Sequence, residues 1–135
     1  MTKPILALAA LGFVAASCNS NKTENGNKDN SISLIGKRAT LSNPDLTANV
    51  HYLNDSTIHW KTTATNDSVA EQTNALTLKK VDNTKYFANW VEDDGTTVSQ
   101  IIDLEKKTVK AFLTFEDNTG KRVSQLLEGT YKLEK

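Results

Sequence analysis

The stretch Tyr86-Phe87-Ala88-Asn89-Trp90-Val91-Glu92-Asp93-Asp94-Gly95-Thr96-Thr97-Val98-Ser99-Gln100-Ile101-Ile102-Asp103-Leu104 decides the fold. It holds two runs rich in aromatic and β-branched residues, separated by Asp93-Asp94-Gly95. Such runs suit a pleated, half-buried strand, and an Asp-Gly turn between them joins the strands as a hairpin. In the first run, Tyr86, Ala88, Trp90 and Glu92 share one face, and Phe87, Asn89 and Val91 share the other. Period-2 alternation puts these sets on opposite sides of a sheet but leaves open which side is inward.

The same pattern extends in both directions. Upstream, Ala48-Val50-Tyr52 alternates with Asn49-His51, and Ile58-Trp60 alternates with His59-Lys61, with Asn54-Asp55 as the turn between. Further strands are expected at Arg38 to Ser42, Ala75 to Val81, Thr108 to Phe115 and Arg122 to Leu133. Asp82-Asn83, Glu105-Lys106-Lys107 and Asp117-Asn118-Thr119-Gly120 punctuate them. About eight short antiparallel strands favour an all-β, up-and-down, lipocalin-like β-barrel, because closure removes exposed edges. A barrel of that size encloses one small ligand or is filled by side chains. The segment Thr62 to Thr73 (TTATNDSVAEQT) has little apolar alternation and is expected as a loop or short helix over one mouth.

The domain is expected over residues 34–135, leaving the N-terminal quarter for other work. Lys3 is the charge of a short n-region, and Pro4 to Ala16 (PILALAALGFVAA) has the length of a signal h-region. Val14-Ala15-Ala16-Ser17-Cys18 resembles the lipobox of bacterial lipoproteins, with Ala15 where that motif most often has Leu. Residues 1–17 are therefore expected as a lipoprotein signal peptide, with Cys18 as the lipid-bearing first residue of the mature protein. The other reading is an ordinary secretory peptide with an incidental cysteine. Several acyl chains on one residue would make membrane attachment stable, where one is marginal. Asn19 to Ser33 (NSNKTENGNKDNSIS) is too polar to offset its ordering entropy and is expected as a tether to an envelope membrane.

Composition narrows the partners. Lys and Arg number 16 and Asp and Glu number 16, giving zero formal net charge. No nucleic-acid partner is expected without a basic face. Cys18 is the only cysteine, so no intramolecular disulfide is available. No glycine-rich phosphate loop, nucleophile elbow or paired Cys ligand set is found, and no cofactor is expected.

The candidate ligand cavity is read from the inward-facing polar and aromatic residues. Tyr52, Trp60, Tyr86 and Trp90 are expected in the core, which in a cup-shaped barrel is also the wall of a cavity. Gln100 shares a face with Val98 and Ile102, and Gln125 with Val123 and Leu127. Either amide suits a polar contact in a cavity or a satisfied core position. Glu92 is either a desolvated carboxylate with a raised pKa or a solvated residue at the strand end. His51 and His59 lie opposite the apolar sets, so both are expected outward and near each other. A third metal ligand is not evident, and no metal site is expected.

The residues from Tyr86 to Val98, with Ile102-Asp103-Leu104-Glu105-Lys106-Lys107, resemble the Y-x-x-x-W-x-E-x-x-G-T-x-V signature of the phenolic acid decarboxylases and related MoaF-like proteins. Asn54-Asp55-Ser56-Thr57-Ile58 is similar to a hairpin of the same barrels. The resemblance implies a small lipocalin-like (calycin) barrel with Tyr86, Trp90 and Glu92 facing inward. In the decarboxylases the glutamate of W-x-E is the catalytic acid. Those enzymes also hold the substrate carboxylate with two first-strand tyrosines and a later arginine. Here the first-strand positions fall near Thr40 and Ser42, and Val69 to Glu71 contains no arginine. Decarboxylase activity is therefore not expected, and the MoaF-like group is the closer match.

Three functions follow as expectations. The first is a lipid-anchored barrel that binds a small, mostly apolar ligand without catalysis, using Tyr52, Trp60, Tyr86, Trp90, Glu92 and Gln100. The second is an enzyme with Glu92 as acid or base, for which no second catalytic group is apparent. The third is an envelope inhibitor that binds proteins through its rim loops over a filled interior.

Overall fold

A computed structural model of the chain describes residues 32–135. The expected signal peptide, Cys18 and all of the tether except Ile32 and Ser33 lie outside the described residues. The described chain forms eight strands: β1 (Arg38–Ser42), β2 (Leu46–Asn54), β3 (Thr57–Ala64), β4 (Val69–Lys80), β5 (Lys85–Val91), β6 (Thr97–Asp103), β7 (Thr108–Glu116) and β8 (Arg122–Leu133). Each pairs antiparallel with its neighbour in sequence, and β8 closes on β1. The fold is the up-and-down barrel that the strand count favoured.

Alternating burial causes this arrangement. In β5 the inward residues Tyr86, Ala88 and Trp90 are buried, while Val91 at the strand end is exposed. In β6 the inward set is Val98, Gln100 and Ile102, set against Trp90, Ala88 and Tyr86 across the ladder. A one-residue slip would turn both sets to solvent, so burial fixes the register. The turns use side-chain caps of a single kind. Asn43, Asn54, Asn66, Asp82, Asp94 and Asp117 each accept, through Oδ1, a hydrogen bond from the backbone N–H two residues on.

The expectation for Thr62 to Thr73 is corrected. Thr62 to Ala64 continue β3, Val69 to Thr73 begin β4, and the connection is the tight turn Thr65 to Ser68 with Asp67 at φ 65°. Apolar alternation fails here because these strand ends are not packed in the core: Val69, Ala70, Glu71 and Thr73 are exposed, and the end of β3 reaches the mouth. Thr62 lines a cavity there.

The two ends of the barrel are built differently. At the end that carries the β2–β3, β4–β5 and β6–β7 turns, the N-terminal segment bonds to Tyr52 of β2 and Tyr86 of β5. Leu34 is fully buried there, and Gly36 N donates to Tyr52 O at 2.7 Å. Tyr52, Ile58 and Ile102 are fully buried beside it. At the other end the β1–β2, β3–β4, β5–β6 and β7–β8 turns surround a mouth. Glycine is required where β8 passes β1, since a Cβ on Gly129 would collide with the backbone oxygen of Ser42.

Candidate functional site: the barrel mouth

The inward residues of the mouth half enclose a cavity of about 100 Å³. Leu41, Leu46, Val50, Val98 and Leu113 give it apolar walls. Trp60, Trp90, Glu92 and Gln100, four of the six residues expected to line a cavity, do line it.

Glu92 sits one residue beyond β5, where its N–H donates to Thr96 O at 2.8 Å and holds it in register with Trp90. Its carboxyl lines the cavity, on the inward side of the two positions the alternation left open. Partial burial raises its pKa, and the neighbouring Asp94 and Asp93 charges raise it further. The indole N–H of Trp90 pulls in the opposite direction. That N–H still makes no hydrogen bond of acceptable geometry, so its pull on the carboxylate is that of a nearby dipole.

The two tryptophans have opposite fates. Trp60 Nε1 donates to Asn74 Oδ1 at 2.8 Å, Asn74 Nδ2 donates to Asp93 Oδ1 at 3.2 Å, and Asp93 N donates to Gln72 Oε1 at 3.0 Å. This chain of bonds ties β3 and β4 to the β5–β6 turn. Trp90 is 4% exposed and its Nε1 has no partner. Gln100 is 5% exposed and its Oε1 has none either. Gln100 lies opposite Ala88 on the adjacent strand, one inward step from Trp90, so the two unpaired atoms belong to one patch of wall.

Tyr52 and Tyr86, also expected on the cavity wall, are in the closed end instead. Tyr52 Oη meets Tyr131 Oη at 3.0 Å, and Tyr86 Oη donates to the Ile32 carbonyl at 2.9 Å. Burial pushes both phenols of the first pair up, Tyr131 to about 12 and Tyr52 well above its ordinary value. Both therefore stay protonated and act as hydrogen-bonding core. Gln125 is exposed and does not line the cavity.

His51 and His59 face outward and pair directly across β2 and β3. His59 Nε2 lies 2.8 Å from Glu71 Oε1. Among the described residues, no group of three or more His, Cys, Asp or Glu side chains is arranged to hold a metal. Sequence reasoning missed Asn74, although it shares the period of Leu76 and Leu78. It also missed Glu128, which stands at the cavity rim.

A search of solved structures finds a protein from Burkholderia vietnamiensis, described with its crystal structure as a "putative beta-lactamase". It superposes with a TM-score of 0.64 over 77% of this chain and 98% of its own, at 22% identity. At that identity the likeness shows the barrel fold alone. No curated protein matches the sequence. The MoaF-like family model matches residues 35–128, from the closed-end segment well into β8. The chain belongs to the MoaF-like family.

Proposed function

We propose that this protein is a non-catalytic, lipid-anchored barrel of the bacterial envelope that binds a small, mostly apolar molecule through its mouth. The observation that carries the reading is the cavity itself. It is open to the mouth, walled mostly by aliphatic side chains, and contains two buried polar atoms without partners. Ligand sites have this composition, with an apolar lining and a few convergent polar groups. Cores avoid it, because a buried unpaired polar group costs about 1–3 kcal/mol. Anchoring through Cys18 rests on the lipobox-like Val14-Ala15-Ala16-Ser17-Cys18.

The raised pKa of Glu92 favours a second reading, in which that carboxyl acts as an acid or base on the bound molecule. Glu92 is, however, the ionisable residue that faces the cavity, since Glu128 at the rim pairs outward with Lys110, and no nucleophile–base pair accompanies it among the lining residues.

Native mass spectrometry of the protein extracted from its own membranes tests the binding reading. A small molecule should travel with the folded protein, and Glu92→Gln should change its retention. An empty barrel in every preparation would count against binding. Cys18→Ala should leave the membrane fraction, and its retention there after signal cleavage would remove the lipid anchor from the proposal.

A further inference from the structure

The two unpaired atoms at the mouth define the head of the molecule that fits there. Trp90 Nε1 can only donate, and Gln100 Oε1 can only accept. They lie on adjacent strands, on the same inward face, in a wall that is mainly apolar apart from Thr62, Glu92 and the rim residues. A group satisfying both must accept one hydrogen bond and donate another through a small atom. A hydroxyl does so, and it satisfies either end of the Gln100 amide.

The charge of the wall removes the alternatives. The acid facing the cavity is Glu92, with no Lys, Arg or His in the lining; Glu128, at the rim, turns outward and pairs with Lys110 at 3.5 Å. A carboxylate or phosphate would enter a largely apolar cleft beside the Glu92 carboxyl, with no cation in the lining to hold it. An ammonium would find the Glu92 carboxylate but brings no acceptor for the Trp90 N–H. A pure hydrocarbon would leave both polar atoms unpaired and displace any water that bridged them, without replacing its bonds. The volume of about 100 Å³ takes a single small ring or a short chain before the body reaches the mouth.

Building on the binding reading above, we infer that the ligand enters with an uncharged hydroxyl, seated between the Trp90 indole N–H and the Gln100 amide, on a slender apolar body. The site selects alcohols over acids of the same length. It is a recognition device made of two atoms that the fold itself does not need.

A matched hexyl series tests this. Trp60 and Trp90 are the only tryptophans and both line the cavity, so intrinsic fluorescence reports on occupancy. With the purified protein, 1-hexanol should bind at least about tenfold more tightly than hexanoate, and more tightly than hexylammonium or hexane. Gln100→Leu should weaken 1-hexanol by about 3- to 10-fold and leave hexane unchanged or improved. Its melting temperature without ligand should stay level or rise, which separates lost recognition from lost folding. Trp90→Phe, read through Trp60, should show the same loss. Hexanoate binding as well as 1-hexanol, or Gln100→Leu leaving the alcohol preference intact, would overturn the hydroxyl assignment while binding stood. Silence from all four compounds would overturn binding and the hydroxyl assignment together.

Discussion

The closed end and the mouth are built from the same strands, yet they treat buried polar atoms in opposite ways. At the closed end every phenol found a partner: Tyr52 with Tyr131, and Tyr86 with the Ile32 carbonyl. Leu34 fills the remaining space. At the mouth, Trp90 and Gln100 are equally buried, but their polar atoms are unpaired around an open cavity. An up-and-down barrel permits this division because alternate turns collect at opposite ends. Stability can be concentrated at one end while the other keeps unspent hydrogen-bonding capacity. A fold that used its whole interior for packing would have no reason to leave such atoms in place.

The largest test of that division is truncation at the closed end. Tyr52→Ala removes a fully buried ring and leaves Tyr131 without its partner, and should cost about 3–5 kcal/mol in denaturant unfolding. If it cost no more than a surface substitution, the closed end would not be the stabilising half.

A sharper comparison sets the two tryptophans side by side. Trp60→Phe orphans Asn74 Oδ1 and cuts the bond chain to the β5–β6 turn, so about 1–2 kcal/mol should be lost beyond the change in ring size. Trp90→Phe orphans nothing and should cost clearly less. Equal losses from the two variants would erase the distinction between a tryptophan used by the fold and one left for a ligand.

The smallest effect is electrostatic. Glu92 has a folded-state pKa above its ordinary value, chiefly through burial. Its favourable contribution is therefore present below the ordinary carboxylate range and is lost as pH rises through the raised value. Glu92→Gln should melt slightly above the parent at neutral pH and level with it under acidic conditions. An advantage that was the same at every pH would mean that charge burial at the mouth is not the cause.

Much of the architecture was legible because strand and turn chemistry are local. All eight strands could be located, and the turns at Asn54-Asp55, Asp82-Asn83, Asp93-Asp94-Gly95 and Asp117 to Gly120 all stand where such residues predict. The connection at Asn66-Asp67 was misread despite carrying the same dipeptide as Asn54-Asp55. Its flanking strand ends lack apolar alternation because they project to the rim, where Val69, Ala70, Glu71 and Thr73 are exposed.

The sequence by itself determined that alternating strands close into a barrel, that Trp90 and Glu92 share a face, and that the signature around them resembles MoaF-like proteins. Only the tertiary structure decided which inward residues meet one another. Alternation assigns a side chain to a face but does not say how far along the barrel axis it lies. That depth is set by strand register and by Leu34 entering one end. It placed Tyr52 and Tyr86 in the closed core, and left Trp90 and Gln100 at the mouth without partners.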